Sequence, residues 1–215
     1  MLVHTFSRVI CQNFSMQQFK FIGLSGHATV GKDLFFSLLN SEYPSIRFSL
    51  GDILKTEMRE ELIEETGVDI FMCTKEDKEK VRPLLVKYGT AKRKETEGKY
   101  FTDKLGHLIE NSFTLARIPV ITDIRYCEYP EDEVRWLKDK IGGLLIYIKK
   151  YKIINGEREY VSAPNEDEEK NGPLLEENAD YIVDWEESQG GTMKEIRVSL
   201  EPHIKKFIDW YQYIS

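Results

Sequence analysis

The chain has 215 residues, 41% hydrophobic and 31% charged, the make-up of one main globular domain, which excludes wholesale disorder. Lys and Arg total 30 against 37 Asp and Glu, a net charge of −7; this argues against a general nucleic-acid coat, which needs a basic surface, but leaves room for one local anion pocket. No apolar run approaches the roughly 18 residues that cross a bilayer, so no membrane partner is expected.

Residues 1–19 contain Arg8 but no acidic residue and lack the apolar core of a secretory signal; they read as a flexible extension ahead of a single domain over 20–215. Residues 20–24 form a short apolar run, a buried strand. The stretch 33–40 places Leu34, Phe35, Leu38 and Leu39 at helical spacing. A second strand is expected over 45–49. A helix follows from Gly51 to about 65, with Asp52 as its N-cap and Gly67 as its stop. Further helices are expected over 75–88, ended by Gly89, and over 100–115, with Leu105, Leu108, Ile109 and Phe113 on one face. The run 119–124 is the clearest buried strand and ends around Asp123. Next come a helix over 131–140, stopped by Gly142-Gly143, and a strand over 144–148. Residues 149–178 are polar and carry Asn155-Gly156, Pro164 and Asn171-Gly172-Pro173; this is turn chemistry and reads as a mobile excursion or hairpin. A short strand over 181–183 and a helix over 193–213, broken at Pro202, complete the chain. Apolar strands alternating with helices imply an α/β fold, three layers deep, with a central parallel sheet covered on both faces.

Cys11, Cys73 and Cys127 stand far apart with no CxxC spacing, and the histidines are scattered. Neither a disulfide framework nor a zinc cluster is read, and a reducing, cytoplasmic setting is the simplest.

The strongest chemical signal is Gly26-His27-Ala28-Thr29-Val30-Gly31-Lys32-Asp33. It fits G-x-x-x-x-G-K, the start of a phosphate-binding P-loop, and lies between an expected strand and helix. Glycines let the backbone curl so that several N–H groups face one phosphate, and the helix N-terminus adds partial positive charge. Lys32 can bridge the outer phosphates of a nucleotide. Asp33 stands where a P-loop ordinarily has Ser or Thr; it either holds Mg²⁺ through its carboxylate or complements the helix dipole.

Asp123 ends a central strand, the edge where open α/β sheets place ligands. It either holds Mg²⁺ through water, accepts a substrate hydroxyl, or makes a strand-end ion pair with a neighbour. Arg125 can span donor and acceptor phosphates with its fork. Arg82 is either aimed at an anion or snorkels at the surface. Arg158 is the only arginine between Arg135 and Arg197 and lies in the polar stretch; it is either a mobile charge that stabilises phosphoryl transfer or a solvated one. The acidic run 166–169 reads as solvated surface.

The segment Phe48-Ser49-Leu50-Gly51-Asp52-Ile53-Leu54-Lys55 is similar to the one that follows the second strand of nucleoside monophosphate kinases. Other matching segments are Arg82-Pro83-Leu84-Leu85 with Gly89-Thr90, Val120-Ile121-Thr122-Asp123-Ile124-Arg125, and Ala179-Asp180-Tyr181-Ile182-Val183. In this order, with the Gly-Lys-Asp loop ending, they make the stretch 21–195 resemble the deoxynucleoside monophosphate kinases of bacteriophages and other large DNA viruses. The same layout also looks like animal phosphomevalonate kinase. Two departures are Leu34, where the viral kinases carry Thr, and Ala163-Pro164-Asn165-Glu166 in place of a His-x-Ser-Glu type of segment.

The resemblance implies a P-loop kinase with a helical acceptor lobe over 51–96 and a lid over 151–178. ATP with Mg²⁺ is then the phosphoryl donor and a deoxynucleoside monophosphate the acceptor. Gly26, Ala28, Thr29, Val30, Gly31, Lys32, Asp33 and Leu34 hold the nucleotide. Asp52, Lys55, Arg82 and Arg125 bind the acceptor. Lys32, Asp33, Asp123, Arg125 and Arg158 carry the transfer, with Asp33 and Asp123 on the metal. The region around Trp185 either seats adenine or packs. Two rival readings stay open: a phosphomevalonate-like acceptor, and a nucleotide-binding module without catalysis. A homodimer is neither required nor excluded.

Overall fold

The computed structural model describes residues 20–110, 117–188 and 191–214. The expected extension over 1–19, and the end of the expected 100–115 helix with Phe113, lie outside them.

Six strands form one sheet: β1 (Ile22–Ser25), β2 (Ser45–Phe48), β3 (Ile118–Ile121), β4 (Leu144–Ile154), β5 (Glu157–Tyr160) and β6 (Tyr181–Glu186). The order is β2-β3-β1-β4, with β6 beside β4, and all of these pairs are parallel. Every residue of β1 and β3 is buried, as central parallel strands covered on both faces require. β4 runs far past its expected end at 148. Its last residues pair antiparallel with β5 through Tyr151–Tyr160 and Ile154–Glu157. Asn155 and Gly156 make that turn with φ of 53° and 84°, the positive-φ pair that a two-residue hairpin favours.

Helices α1 (Lys32–Glu42) and α7 (Met193–Ile214) cover one face. Phe35, Leu38 and Leu39 meet Leu200, Ile204, Phe207 and Tyr211 over Ile22, Leu24, Val120, Ile146 and Ile148. Each such buried side chain contributes about 1.5–3 kcal/mol. α7 runs through Pro202 without a break. Helices α4 (Lys99–Glu110), α5 (Glu133–Arg135, continuing as a π-turn over Trp136–Lys140) and α6 (Glu166–Glu177) cover the other face. Their Phe101, Leu105, Trp136, Leu137 and Leu175 pack on Ile121, Leu145 and Tyr147. The two faces alternate along β4, as a pleated strand dictates.

The expected acceptor-lobe range holds α2 (Leu50–Thr66) and α3 (Lys75–Glu95), which share their own apolar cluster of Met58, Leu62, Ile70, Val81 and Leu85. α3 does not stop at Gly89. That glycine is buried in mid-helix, where a Cβ would meet Leu54 at 3.5 Å. Asp52 is not the N-cap of α2 either: Ser49 is, its Oγ accepting the Asp52 N–H at 3.1 Å. The polar stretch is likewise more ordered than a mobile excursion. Asn171, Gly172 and Pro173 lie inside α6, which Asn165 caps through the Glu168 N–H. Pro173 sits where the helix has already turned twice, and its neighbours Asn171 and Gly172 are buried.

Candidate active site

The loop between β1 and α1 owes its shape to residues that only fit one way. Gly26 has φ 120°, and a Cβ there would collide with the Ile148 carbonyl. Gly31 has φ 102° and lies under the Trp185 ring, whose nearest atom would stand 3.0 Å from a Cβ. Both conformations belong to glycine. Trp185 is 1% exposed, and its Nε1–H donates to the Val30 carbonyl at 3.0 Å. It therefore braces the loop, which settles the packing alternative for this side chain.

Lys32 opens α1 and folds back over the loop. Its Nζ donates to the Gly26 carbonyl at 2.5 Å and to the His27 carbonyl at 2.8 Å. Burial, and then the Arg125 guanidinium, push this ammonium down to about 8, against the pull of Glu168, Asp123 and Asp33. Asp33 is exposed in the first turn of α1. The Ala28 N–H, one of the donors a phosphate would need, points at the Glu168 carboxylate 2.7 Å away. Arg125 approaches the other oxygen of that carboxylate at 3.4 Å, and His27 lies 3.8 Å from it. Burial lowers the His27 pKa, Lys32 adds to the shift, and Glu168 opposes it. The acidic run is thus not all solvated surface: Glu168 turns inward because α6 docks on the loop.

The segment after β3 places Asp123 and Arg125. The N–H groups of Thr122 and Ile124 still bond to Phe48 and Leu24 of the flanking strands, which fixes the intervening Asp123. Its carboxylate accepts Leu50 N–H at 2.9 Å, Gly51 N–H at 2.7 Å and the Ser49 hydroxyl at 2.8 Å. This is an anion at the start of α2, favoured by the helix dipole, and a methyl on Gly51 would press against it at 2.9 Å. The Arg125 backbone hangs from Glu133, whose carboxyl accepts the N–H groups of Arg125 at 2.6 Å and Tyr126 at 3.2 Å. Burial pushes the Glu133 carboxyl up to about 8. Next to it, buried Asp132 pairs with Arg93 at 2.8 Å, and Arg93 lies over the Tyr126 ring at 3.2 Å, tying α3 to the same segment.

On the first turn of α2, Asp52 holds two cations, Arg47 at 2.6 Å and Lys55 at 2.7 Å. Burial works against the Asp52 carboxylate, but the hydrogen bonds from Lys55 and Arg47 keep its pKa below the ordinary value. Burial lowers the Arg47 pKa, but its bond to Asp52 and the charges of Asp52, Asp33 and Asp123 raise it above the ordinary value. Arg82 makes its ion pair with Glu79 on an exposed face of α3 at 2.8 Å. Arg158 lies on β5, paired with Asp184 at 3.1 Å and stacked on the Tyr151 ring at 4.4 Å. Among the described residues neither arginine bonds to the loop cluster.

The structure therefore gathers Lys32, Asp33, Asp123, Arg125, Asp52 and Lys55 at one edge of the sheet. Sequence reasoning missed Arg47, Glu133 and Glu168. Arg47 had a signal, a cation on a strand two residues before the helix cap; the other two had none, because their partners are fixed by tertiary packing.

No family model matches the chain, and no curated protein matches it in sequence. Among solved structures it is similar to shikimate kinase from Acinetobacter baumannii in complex with shikimate, with TM-score 0.46, 12% identity, and coverage of 93% of this chain and 97% of that one. It is also similar to dephospho-CoA kinase from Campylobacter jejuni, with TM-score 0.42, 17% identity and coverage of 86% and 96%. Shikimate kinase from Bacteroides thetaiotaomicron gives 0.44 at 12% identity, covering 88% and 98%. Likenesses this distant assign no activity. Among the described residues no helix is long and apolar enough to cross a membrane.

Proposed function

We propose that the chain transfers the γ-phosphoryl group of ATP to the phosphate of a deoxynucleoside monophosphate. One observation carries this reading. The Ala28 N–H and Arg125 both bond the same Glu168 carboxylate, Lys32 lies close enough to feel its charge, and the sheet edge they share also carries the Arg47–Asp52–Lys55 cluster at the start of α2. A donor phosphate site and an acceptor phosphate site side by side are what phosphoryl transfer between two phosphates needs.

In this reading Lys32 exchanges its two carbonyl partners for the outer phosphates of the nucleotide. Arg125, its backbone held by Glu133, places its fork between donor and acceptor. Arg47 and Lys55 grip the acceptor phosphate from β2 and α2, while Asp123 keeps the α2 N-terminus in place. The acceptor phosphate is already anionic, so no general base is required. Asp33 fits a metal role: it is an exposed carboxylate beside Lys32, and hard cations take oxygen ligands. Asp123 already accepts three hydrogen bonds and has less capacity left for an ion. Mg²⁺ is a cation usually held by one or two carboxylates and the substrate's phosphates, so a single carboxylate such as Asp33 could serve it. When bound, Mg²⁺ neutralises charge on the transferred group.

The test is ATP consumption by the purified full chain, measured against each deoxynucleoside monophosphate, each ribonucleoside monophosphate and phosphomevalonate. Turnover is expected with one or more deoxynucleotides. Preference for phosphomevalonate would replace the acceptor, and ATP binding without transfer to any of them would leave a non-catalytic module.

A further inference from the structure

Helix α6 begins with Asn165, whose side chain accepts the Glu168 N–H at 2.9 Å. A glutamate at this third helical position ordinarily reaches back to the cap's own N–H, the reciprocal half of a capping box. Glu168 does not. Its Oε2 takes the Ala28 N–H at 2.7 Å and its Oε1 the Arg125 guanidinium at 3.4 Å. Its side chain is 13% exposed, while Glu166, Asp167 and Glu169 around it face solvent.

The pose is built in. Asn171, fully buried one turn on, accepts the Cys127 N–H at 3.1 Å and donates to Glu128 at 2.7 Å. Gly172 lies so close to His27 that a Cβ would stand 2.8 Å from the ring. Leu175 is buried in the core beneath. Buried polar side chains are matched only where the docking is specific, so α6 is anchored against the loop and the segment carrying Arg125 at the same time.

We infer that Glu168 is a tethered competitor of the nucleotide: α6 delivers its carboxylate to the donors that a nucleotide phosphate needs, and the nucleotide binds by displacing it. The inference rests on reading the loop as a nucleotide site. The chemistry favours exchange. A carboxylate offers one charge and two acceptor oxygens, whereas a polyphosphate offers several of each to the same N–H groups, Lys32 and Arg125. The contact therefore sets a concentration threshold, since the apparent dissociation constant rises by the inverse of the fraction of molecules with the loop released. It also gives the loop a companion charge that offsets Lys32 and Arg125 before nucleotide arrives.

The experiment compares the full chain with its E168Q and E168A variants, titrated calorimetrically with ADP and, separately, with inorganic tripolyphosphate. Glu168→Gln keeps the shape and removes the charge, which guards against a folding defect in Glu168→Ala. Both ligands are expected to bind roughly tenfold more tightly to the alanine variant, with glutamine between, as loss of one charged hydrogen bond to the competitor implies. In the unmutated chain, hydrogen exchange across 166–177 is expected to speed up when ADP binds. Equal or weaker binding by both variants overturns the competitor role and leaves the nucleotide reading intact. Binding by none of the three proteins overturns the nucleotide reading and this inference with it.

Discussion

The anion that faces Lys32 and Arg125 comes from Glu168, which is 140 residues from the Ala28 it bonds. The anion that faces Arg47 and Lys55 comes from Asp52, only five and three residues away. On the first side Lys32 is half-buried, with its pKa depressed by burial to about 8, while Arg125 is 46% exposed. On the second, Arg47 and Lys55 are 39% and 26% exposed and share one carboxylate. The loop side thus sets a half-buried ammonium against a carboxylate delivered by tertiary docking, whereas the α2 side balances its charges within a few residues of chain. A ligand on the first side must undo a long-range contact; on the second it has only to join a local ion cluster.

Removing Lys32 should break the loop side and nothing else. Lys32→Ala is expected to lower kcat by about 10²–10³-fold, the scale of losing one preorganised charge at the transferred group. Its stability should move the other way. Burying an ammonium is costly, so the variant is expected to melt at or above the unmutated chain at pH 7; a lower melting temperature would show that Lys32 is a structural cation. Around Asp52, the proposed function predicts that Arg47→Ala and Lys55→Ala each raise KM for the acceptor roughly tenfold, as for one charged hydrogen bond, with KM for ATP unchanged. Because both cations share Asp52, the double variant should cost less than the product of the two. Strict additivity would mean that they serve separate groups.

The contrast in reach also explains what was legible in the sequence. The glycine-rich loop and the layered α/β order announce themselves through spacing within a few residues, whereas Lys55 is picked out only by the resemblance. Asp52 was placed one role out, because Ser49 three residues earlier supplies the cap. The helical path of α6 was hidden by Asn171-Gly172-Pro173, which taken locally is turn chemistry; in the fold Asn171 and Gly172 fit against Cys127, Glu128 and His27. Glu133 lies within the helix expected over 131–140, where spacing gives it no role, and only the fold shows it buried beneath the Arg125 backbone.

Glu133 sharpens the comparison further, since it supports Arg125 from below. Its pKa is raised from 4.5 to about 8 in the folded chain. Between those values the folded state keeps a proton that the unfolded state has lost. Glu133 therefore contributes stability that is present at low pH and is lost as pH rises toward about 8. The melting temperature of Glu133→Gln, followed from pH 5 to pH 8, should fall less steeply than that of the unmutated chain. Parallel curves would mean that Glu133 is ionised throughout. The smallest effect is expected at the far edge of the sheet. Arg158→Ala breaks an exposed pair with Asp184, a contact class that contributes little, and should change kcat by less than about twofold. A loss near 10²-fold would return Arg158 to the transfer chemistry.

Trp185 donates its indole N–H to the Val30 carbonyl and lays its ring against Gly31, so a native fluorophore is hydrogen-bonded to the backbone of the glycine-rich loop. The chain is its own optical gauge. Any rearrangement of that loop changes the polarity and hydrogen bonding around the indole, so the nucleotide binding proposed above is expected to be readable by emission without a label. Phe substitutions at Trp136 and Trp210 would leave Trp185 as the single emitter.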